Sequence, residues 1–278
     1  MRLEDQYEVV RELGKGGCGR VLLVRDRKAG TYHAAKVLTS PNDPHARKQF
    51  RREVRLLSVF QRFRRIVRIE AAYLDAEPPF FVMPYAEDGS VTRWAGKLDL
   101  VQTLTVMKQL MEAVTQIHAH GGFHRDIKPD NILVFNRLPA LADFGLGNAP
   151  DCTVHLTMNA YGTPGYAAPE LFQDAPFSAA ADVFSAGATW FHLITGQRPA
   201  PGALSLDPRT LKPHTPAWIA EMIRRMTAAD VRSRPTAATV FQVLQAQMTV
   251  EKPLPWRYEG LVVAVGLAAL LFVGLRSR

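Results

Sequence analysis

The order in which hydrophobic periods change along the chain limits its fold more than any other feature. From Tyr7 to about Val82 the pattern is strand-like: YEVVREL, RVLLVRD, TYHAAKVL, RIVRIEAAY and PFFVM are short β-branched or aromatic runs bounded by Gly, Pro or charge. One helix interrupts them, Pro44 to Phe60, with Phe50, Val54, Leu57 and Val59 expected to face inward among many arginines. After Gly89 the period becomes helical, with Leu100, Leu104, Met107, Leu110, Met111, Val114 and Ile117 at steps of three and four. Strands followed by helices indicate an α+β chain of two lobes, and no internal repeat competes with that reading.

Composition supports a packed interior. With 47% hydrophobic and 22% charged residues in 278, a disordered or collagen-like chain is excluded. Cys18 and Cys152 lack the spacing of a disulfide framework or a zinc site, which fits a reducing compartment. The polar, acidic start, Met1-Arg2-Leu3-Glu4-Asp5, is not a secretory signal. Near the other end, Gly260 to Leu275 carries no charge and is apolar on every helical face, with Trp256 and Tyr258 just before it. These residues, 260–275, are expected to form a transmembrane helix after a linker, 249–259, although about 17 to 25 residues is the usual span. The net charge of +8 invites nucleic acid or an anionic membrane as a partner. Much of it lies in the arginine-rich stretch Arg47 to Arg68, which has no aromatic interleaving, so a solvated helix face is expected there and nucleic acid is not.

Several short motifs carry chemistry. Gly14-Lys15-Gly16-Gly17-Cys18-Gly19-Arg20-Val21 is a glycine-rich turn between two expected strands. Glycines let backbone N–H groups approach phosphate oxygens, yet alone this turn is equally a plain hairpin. A dinucleotide fingerprint would open a helix after Gly19, whereas RVLLVRD continues as a strand. Next come Ala34 and Lys36 on the following strand, Glu53 on the helix, and His124-Arg125-Asp126-Ile127-Lys128-Pro129-Asp130-Asn131. Asp143-Phe144-Gly145 and Ala168-Pro169-Glu170 complete the series.

That ordered set resembles the eukaryotic-type, or Hanks-type, serine/threonine protein kinases, a family also found in bacteria, over Tyr7 to about Met248. The resemblance implies a kinase domain at 7–248, with a small β-rich lobe, 7–84, carrying one regulatory helix and a larger helical lobe, 87–248. It implies ATP with Mg2+, for which Mn2+ can substitute, and transfer of the γ-phosphate to serine or threonine hydroxyls of protein substrates. Lys36 would hold the α- and β-phosphates, fixed by Glu53; Asp143 and Asn131 would ligate the metal; Asp126 would accept the substrate proton. Lys128 would neutralise the γ-phosphate, and Thr163 would brace Asp126 and Lys128. Gly14 to Gly19, Val21 and Ala34 would enclose the nucleotide, and Met83, Pro84 and Ala86 would form the adenine hinge. Pro84 replaces the usual acidic residue there, which keeps the carbonyl that adenine uses.

The resemblance also implies buried pairing of Glu170 with Arg234, and a backbone-holding role for Asp182. Arg125 would await a phosphate on Thr157 or Thr153, placed by autophosphorylation in a homodimer. Five prolines between Gly196 and Pro216 leave little room for the family's substrate-docking helix. The rival readings are a catalytically dead scaffold and a small-molecule phosphotransferase, and Lys36, Glu53, Asp126, Asn131 and Asp143 together argue against the first. The expected location is the cell membrane, single-pass, with the kinase domain in the cytoplasm and no external sensor domain.

Overall fold

The computed structural model describes residues 2–16, 19–144, 163–173 and 176–250. A four-residue helix α1 (Leu3–Gln6) leads into β1 (Tyr7–Gly16), β2 (Gly19–Asp26) and β3 (Tyr32–Val37); then come α2 (Pro44–Phe60), β4 (Ala71–Tyr73) and β5 (Phe80–Pro84). The strands form one antiparallel sheet in the order β1-β2-β3-β5-β4. Its buried face carries Leu22, Val24, Ala35, Val37, Phe80 and Val82, so alternate residues leave Lys36 and Ala34 on the other side, toward α2 and the second lobe.

α2 starts where Asp43 caps the backbone N–H of His45 and Pro44 occupies the first turn. Phe50, Glu53, Val54, Leu56, Leu57 and Phe60 are its buried residues. Val59, expected inside, is 43% exposed, because it lies on the side of the helix opposite Leu57. The expected strand RIVRIEAAY shrinks to Ala71–Tyr73. Its first half is drawn away from the sheet, and Ile66 bridges Leu141 of the other lobe instead.

The second lobe is built on α3 (Leu100–Ala119), whose N-terminus is closed by a reciprocal Asp99–Gln102 capping box. The apolar residues expected along it are buried except Leu100, which sits in the exposed first turn. A short hairpin follows, β6 (Ile132–Phe135) and β7 (Leu138–Leu141), which the helical period after Gly89 does not anticipate. α4 (Ala179–Thr195), α5 (Ala217–Met226) and α6 (Ala237–Val250) pack around α3 and share one core with the inner face of α2. α4 ends at Gly196, whose left-handed φ of 75° turns the chain out of the helix.

Residues 197–216 hold a single 3-10 turn, Pro208–Thr210, where the family analogy would put a docking helix. α6 runs two residues into the expected linker 249–259. The expected membrane span 260–275 lies outside the described residues, among which no helix is long and apolar enough to cross a membrane.

Candidate active site

Between the lobes lies a cleft of about 860 Å³. Its roof is the β1–β2 hairpin and β3, which contribute Gly14, Lys15, Gly19, Val21, Ala34 and Lys36. Gly16 pairs with Gly19 across the hairpin, whereas Gly17 and Cys18 fall outside the described residues. Gly19 has a reason to be glycine that is independent of any nucleotide. A Cβ there would lie 2.5 Å from the Val37 carbonyl oxygen, and a backbone atom cannot yield as a side-chain tip can.

The back of the cleft is Met83, Pro84, Tyr85 and Ala86. Pairing of Ala34 with Met83 and of His33 with Pro84 sets this connection beside the roof. Asp130 of the loop motif lines the cleft, as do Leu133 from β6 and Glu87, Ser90 and Arg93, four residues that no motif in the sequence singled out.

Lys36 reaches into the cleft and meets two carboxylates. Its Nζ lies 2.6 Å from Glu53 Oε1 and 3.1 Å from Asp143 Oδ1. Burial works against a charge on Lys36, but the facing Glu53 and Asp143 outweigh it and hold the ammonium above its ordinary range. The same burial pushes the Glu53 carboxyl up, with Lys36 opposing the shift. Asp143 has a left-handed φ of 62°, and its neighbour Phe144 is fully buried, stacked on Phe60 of α2 at 5.6 Å and edge-on to His124 at 4.7 Å. Packing of one ring thus fixes where the adjoining carboxylate stands.

Across the cleft, Asp126, Lys128 and Thr163 form a closed triangle. Lys128 Nζ donates to Asp126 Oδ2 at 2.6 Å and to Thr163 Oγ1 at 2.7 Å, and the Thr163 hydroxyl donates to Asp126 Oδ1 at 2.7 Å. Asn131 Nδ2 donates to the Asp126 carbonyl at 2.7 Å and to Oδ2 at 3.1 Å, leaving the Asn131 amide oxygen as an acceptor. Below the loop, the fully buried Asp182 on α4 accepts the backbone N–H of His124 at 2.9 Å and of Arg125 at 2.8 Å. These bonds hold Arg125 in the left-handed region, at φ 73°.

His118, His120 and His124 do not converge. His118 donates to Asp182, His120 lies against Phe63, and His124 bonds the Ala142 carbonyl. The expected Glu170–Arg234 pair forms as a two-pronged fork at 2.7 and 2.8 Å.

Arg125 stands beside a second cation that sequence reasoning missed. It is 8% exposed, lies over the Phe177 ring at 5.1 Å, and its Nε and Nη1 are buried without a hydrogen-bond partner among the described residues. Burial, with Arg52 adding like-charge repulsion, pushes its pKa down to about 10. Arg52 directly precedes Glu53 on α2, but nothing in its spacing distinguishes it from the arginines around it.

Comparison with known proteins places this arrangement. A family model described as the protein kinase domain matches residues 7–245. The chain is similar to the DNA damage-responsive serine/threonine-protein kinase RqkA of Deinococcus radiodurans, with 31% identity covering 88% of this chain and 40% of the relative. It is also similar to an Aurora kinase of Yarrowia lipolytica, with 30% identity covering 83% and 65%. For the serine/threonine-protein kinase PknK of Mycobacterium tuberculosis the identity is 32%, covering 87% and 24%. The chain spans less than two thirds of the length of each of these relatives.

Proposed function

Because this chain belongs to the protein kinase family, we propose that it transfers the γ-phosphate of ATP to serine or threonine hydroxyls of proteins. The observation that carries this reading is the Asp126–Lys128–Thr163 triangle facing Lys36 and Asp143 across one cleft. The Asp126 carboxylate accepts the proton of the substrate hydroxyl as that oxygen attacks the γ-phosphorus and the bond to the β–γ bridging oxygen breaks to release ADP, and Lys128 neutralises the oxygens of the group in flight. Thr163 and Asn131 hold Asp126 in orientation from two sides. Lys36 takes the α- and β-phosphates, and the Ala86 and Pro84 backbone carries the adenine.

The donor set suits a divalent metal. The Asp143 carboxylate is 46% exposed in the cleft and the Asn131 amide oxygen has no partner among the described residues, both hard ligands of the kind Mg2+ and Mn2+ take. When bound, such an ion neutralises phosphate charge. The test is incorporation of labelled phosphate into a generic protein substrate, analysed for phosphoserine, phosphothreonine and phosphotyrosine. Loss of all label in Lys36→Met supports the reading, and label that survives in both Lys36→Met and Asp126→Asn overturns it.

Two finer readings belong to the same proposal. Autophosphorylation at Thr153 or Thr157, both outside the described residues, in trans within a homodimer, would supply a phosphate for Arg125, whose like-charge repulsion with Arg52 favours an anion nearby. Mass spectrometry of protein made with cellular ATP, set against an Asp126→Asn chain, tests it, and an absence of phosphate at both threonines defeats it. Membrane anchoring through 260–275 rests on the uncharged run in the sequence, and is tested by resistance to alkaline carbonate extraction.

A further inference from the structure

The excess positive charge of the chain has one address. Pro44 to Ile69 holds nine cationic residues and one acid, Glu53, a net +8 equal to that of the whole chain, so the remainder balances to zero. Glu53 is buried against Lys36 and does not offset the surface. Arg47, Arg51 and Arg65 pair with Glu77, Asp75 and Glu112, and Arg52 lies near Arg125. Lys48, Arg55, Arg62, Arg64 and Arg68 remain, all exposed and none in an ion pair among the described residues.

Their arrangement is linear. Lys48 and Arg55 share with the exposed Val59, and with Arg51, which Asp75 pairs, the side of α2 opposite the buried Phe50, Val54 and Leu57, at steps of three and four over about 16 Å of helix. Arg62, Arg64 and Arg68 extend the same charge into the turn beyond. Guanidinium groups fit phosphate oxygens in a two-pronged fork, and clustered surface Lys and Arg are attracted to the negative potential of an anionic membrane surface. The outer side of a helix is convex, which suits a plane of headgroups better than the grip on a single acidic side chain that a concave pocket provides.

We propose that the outer face of α2 and the turn after it bind the phosphate headgroups of anionic lipid. This rests on the reading that 260–275 enters a bilayer, and it names the face that the kinase domain then turns to that bilayer. Headgroup contact and the Lys36–Glu53 pair would then lie on opposite sides of one helix.

The full chain is reconstituted into phosphatidylcholine vesicles with and without phosphatidylglycerol, and arginine modification by p-hydroxyphenylglyoxal is followed residue by residue. Arg55, Arg62, Arg64 and Arg68 should react several-fold more slowly in the anionic vesicles, with the protection lost at high salt. The exposed Arg209 and Arg225 of the second lobe should react alike in both. Equal rates at the four arginines overturn the proposal, as does protection by nucleic acid at physiological salt with none by lipid. Carbonate extraction of the same samples separates the two readings: a chain that extracts yet shows salt-sensitive protection loses its anchor and keeps this face, and a chain that resists extraction without protection does the reverse. A Lys48→Gln/Arg55→Gln/Arg62→Gln chain should still phosphorylate a soluble peptide and should lose the protection at Arg64 and Arg68.

Discussion

Lys36 on β3 and Glu53 on α2 meet at 2.6 Å in the interior, with side chains 9% and 1% exposed, and the second carboxylate oxygen of Glu53 has no partner among the described residues. A buried pair of this kind positions a cation more than it stabilises a fold, since desolvating both charges consumes most of their attraction. Glu53→Met should therefore lower thermal stability, by less than the about 3–5 kcal/mol of a fully stranded charge, because the buried ammonium keeps Asp143 as its one remaining carboxylate. The double variant Lys36→Met/Glu53→Met should match or exceed the wild type in Tm while showing no phosphoryl transfer. Differential scanning calorimetry beside a phosphate-incorporation assay checks both halves, and a double variant less stable than Glu53→Met alone refutes the account.

The triangle around Asp126 divides chemistry from positioning. Asp126→Asn should lower kcat by about 10²–10⁴-fold through loss of the base. Thr163→Ala leaves Asp126 held by Lys128 and Asn131 only, and a displaced base of this sort costs about 10²-fold in kcat. Thr163→Ser keeps the hydroxyl and should recover most of that loss, with KM for ATP unchanged in both. If serine does no better than alanine, the hydroxyl is not what holds Asp126.

Arg234 and Glu170 are tested by stability rather than by rate. The Arg234 side chain is fully buried over the Phe184 ring at 4.9 Å, and its fork on Glu170 is joined by bonds to the Ala228 and Ala180 carbonyls. Arg234→Ala strands the carboxylate and two carbonyls, for a cost of about 3–5 kcal/mol, or about 10 °C in Tm for a domain of this size. Arg234→Lys should recover little, since an ammonium cannot fork. Urea unfolding of the variants measures it, and a lysine variant as stable as the wild type contradicts the geometry.

A histidine on α4 gives the fold a pH dependence. His192 Nδ1 lies 2.6 Å from the Tyr166 hydroxyl; burial, with Arg198 nearby, holds the imidazole below its ordinary 6.5, against the pull of Asp130. Burial pushes Tyr166 up to about 12, so its hydroxyl stays protonated beside the imidazole. Below pH 6.5 the unfolded chain takes up a proton that the folded chain refuses, and stability from this group is lost as pH falls. His192→Leu should be less stable at neutral pH, with a flatter Tm profile between neutral and mildly acidic buffer; an unchanged profile excludes His192 as its source.

Much of the site was legible because catalytic motifs are local. Asp126, Lys128 and Asn131 share one loop, Lys36 lies on a strand of clear alternation, and the residues that meet them come from motifs in fixed order. What spacing could not show were encounters between residues far apart in the chain that carry no motif of their own. Arg52 beside Arg125 is one, and Ile66 bridging Leu141 in place of extending a strand is another. The β6–β7 hairpin was missed because ILVF is apolar throughout and LPAL carries a proline, so neither four-residue strand shows an apolar–polar alternation.

Hydrophobic period and motif order by themselves determined a β-rich lobe, a helical lobe and the residues of a phosphoryl-transfer site, since backbone geometry and local chemistry set those patterns. Tertiary structure decided which side of each element does what. Glycine at position 19 is demanded by the Val37 carbonyl, Asp143 is held by the ring of Phe144 on Phe60, and the cations of α2 divide into Arg52 near Arg125, Arg47 and Arg51 in ion pairs, and Lys48 and Arg55 exposed without one among the described residues. Each of these depends on an atom supplied by a distant part of the chain, and the sequence lists such atoms without placing them together.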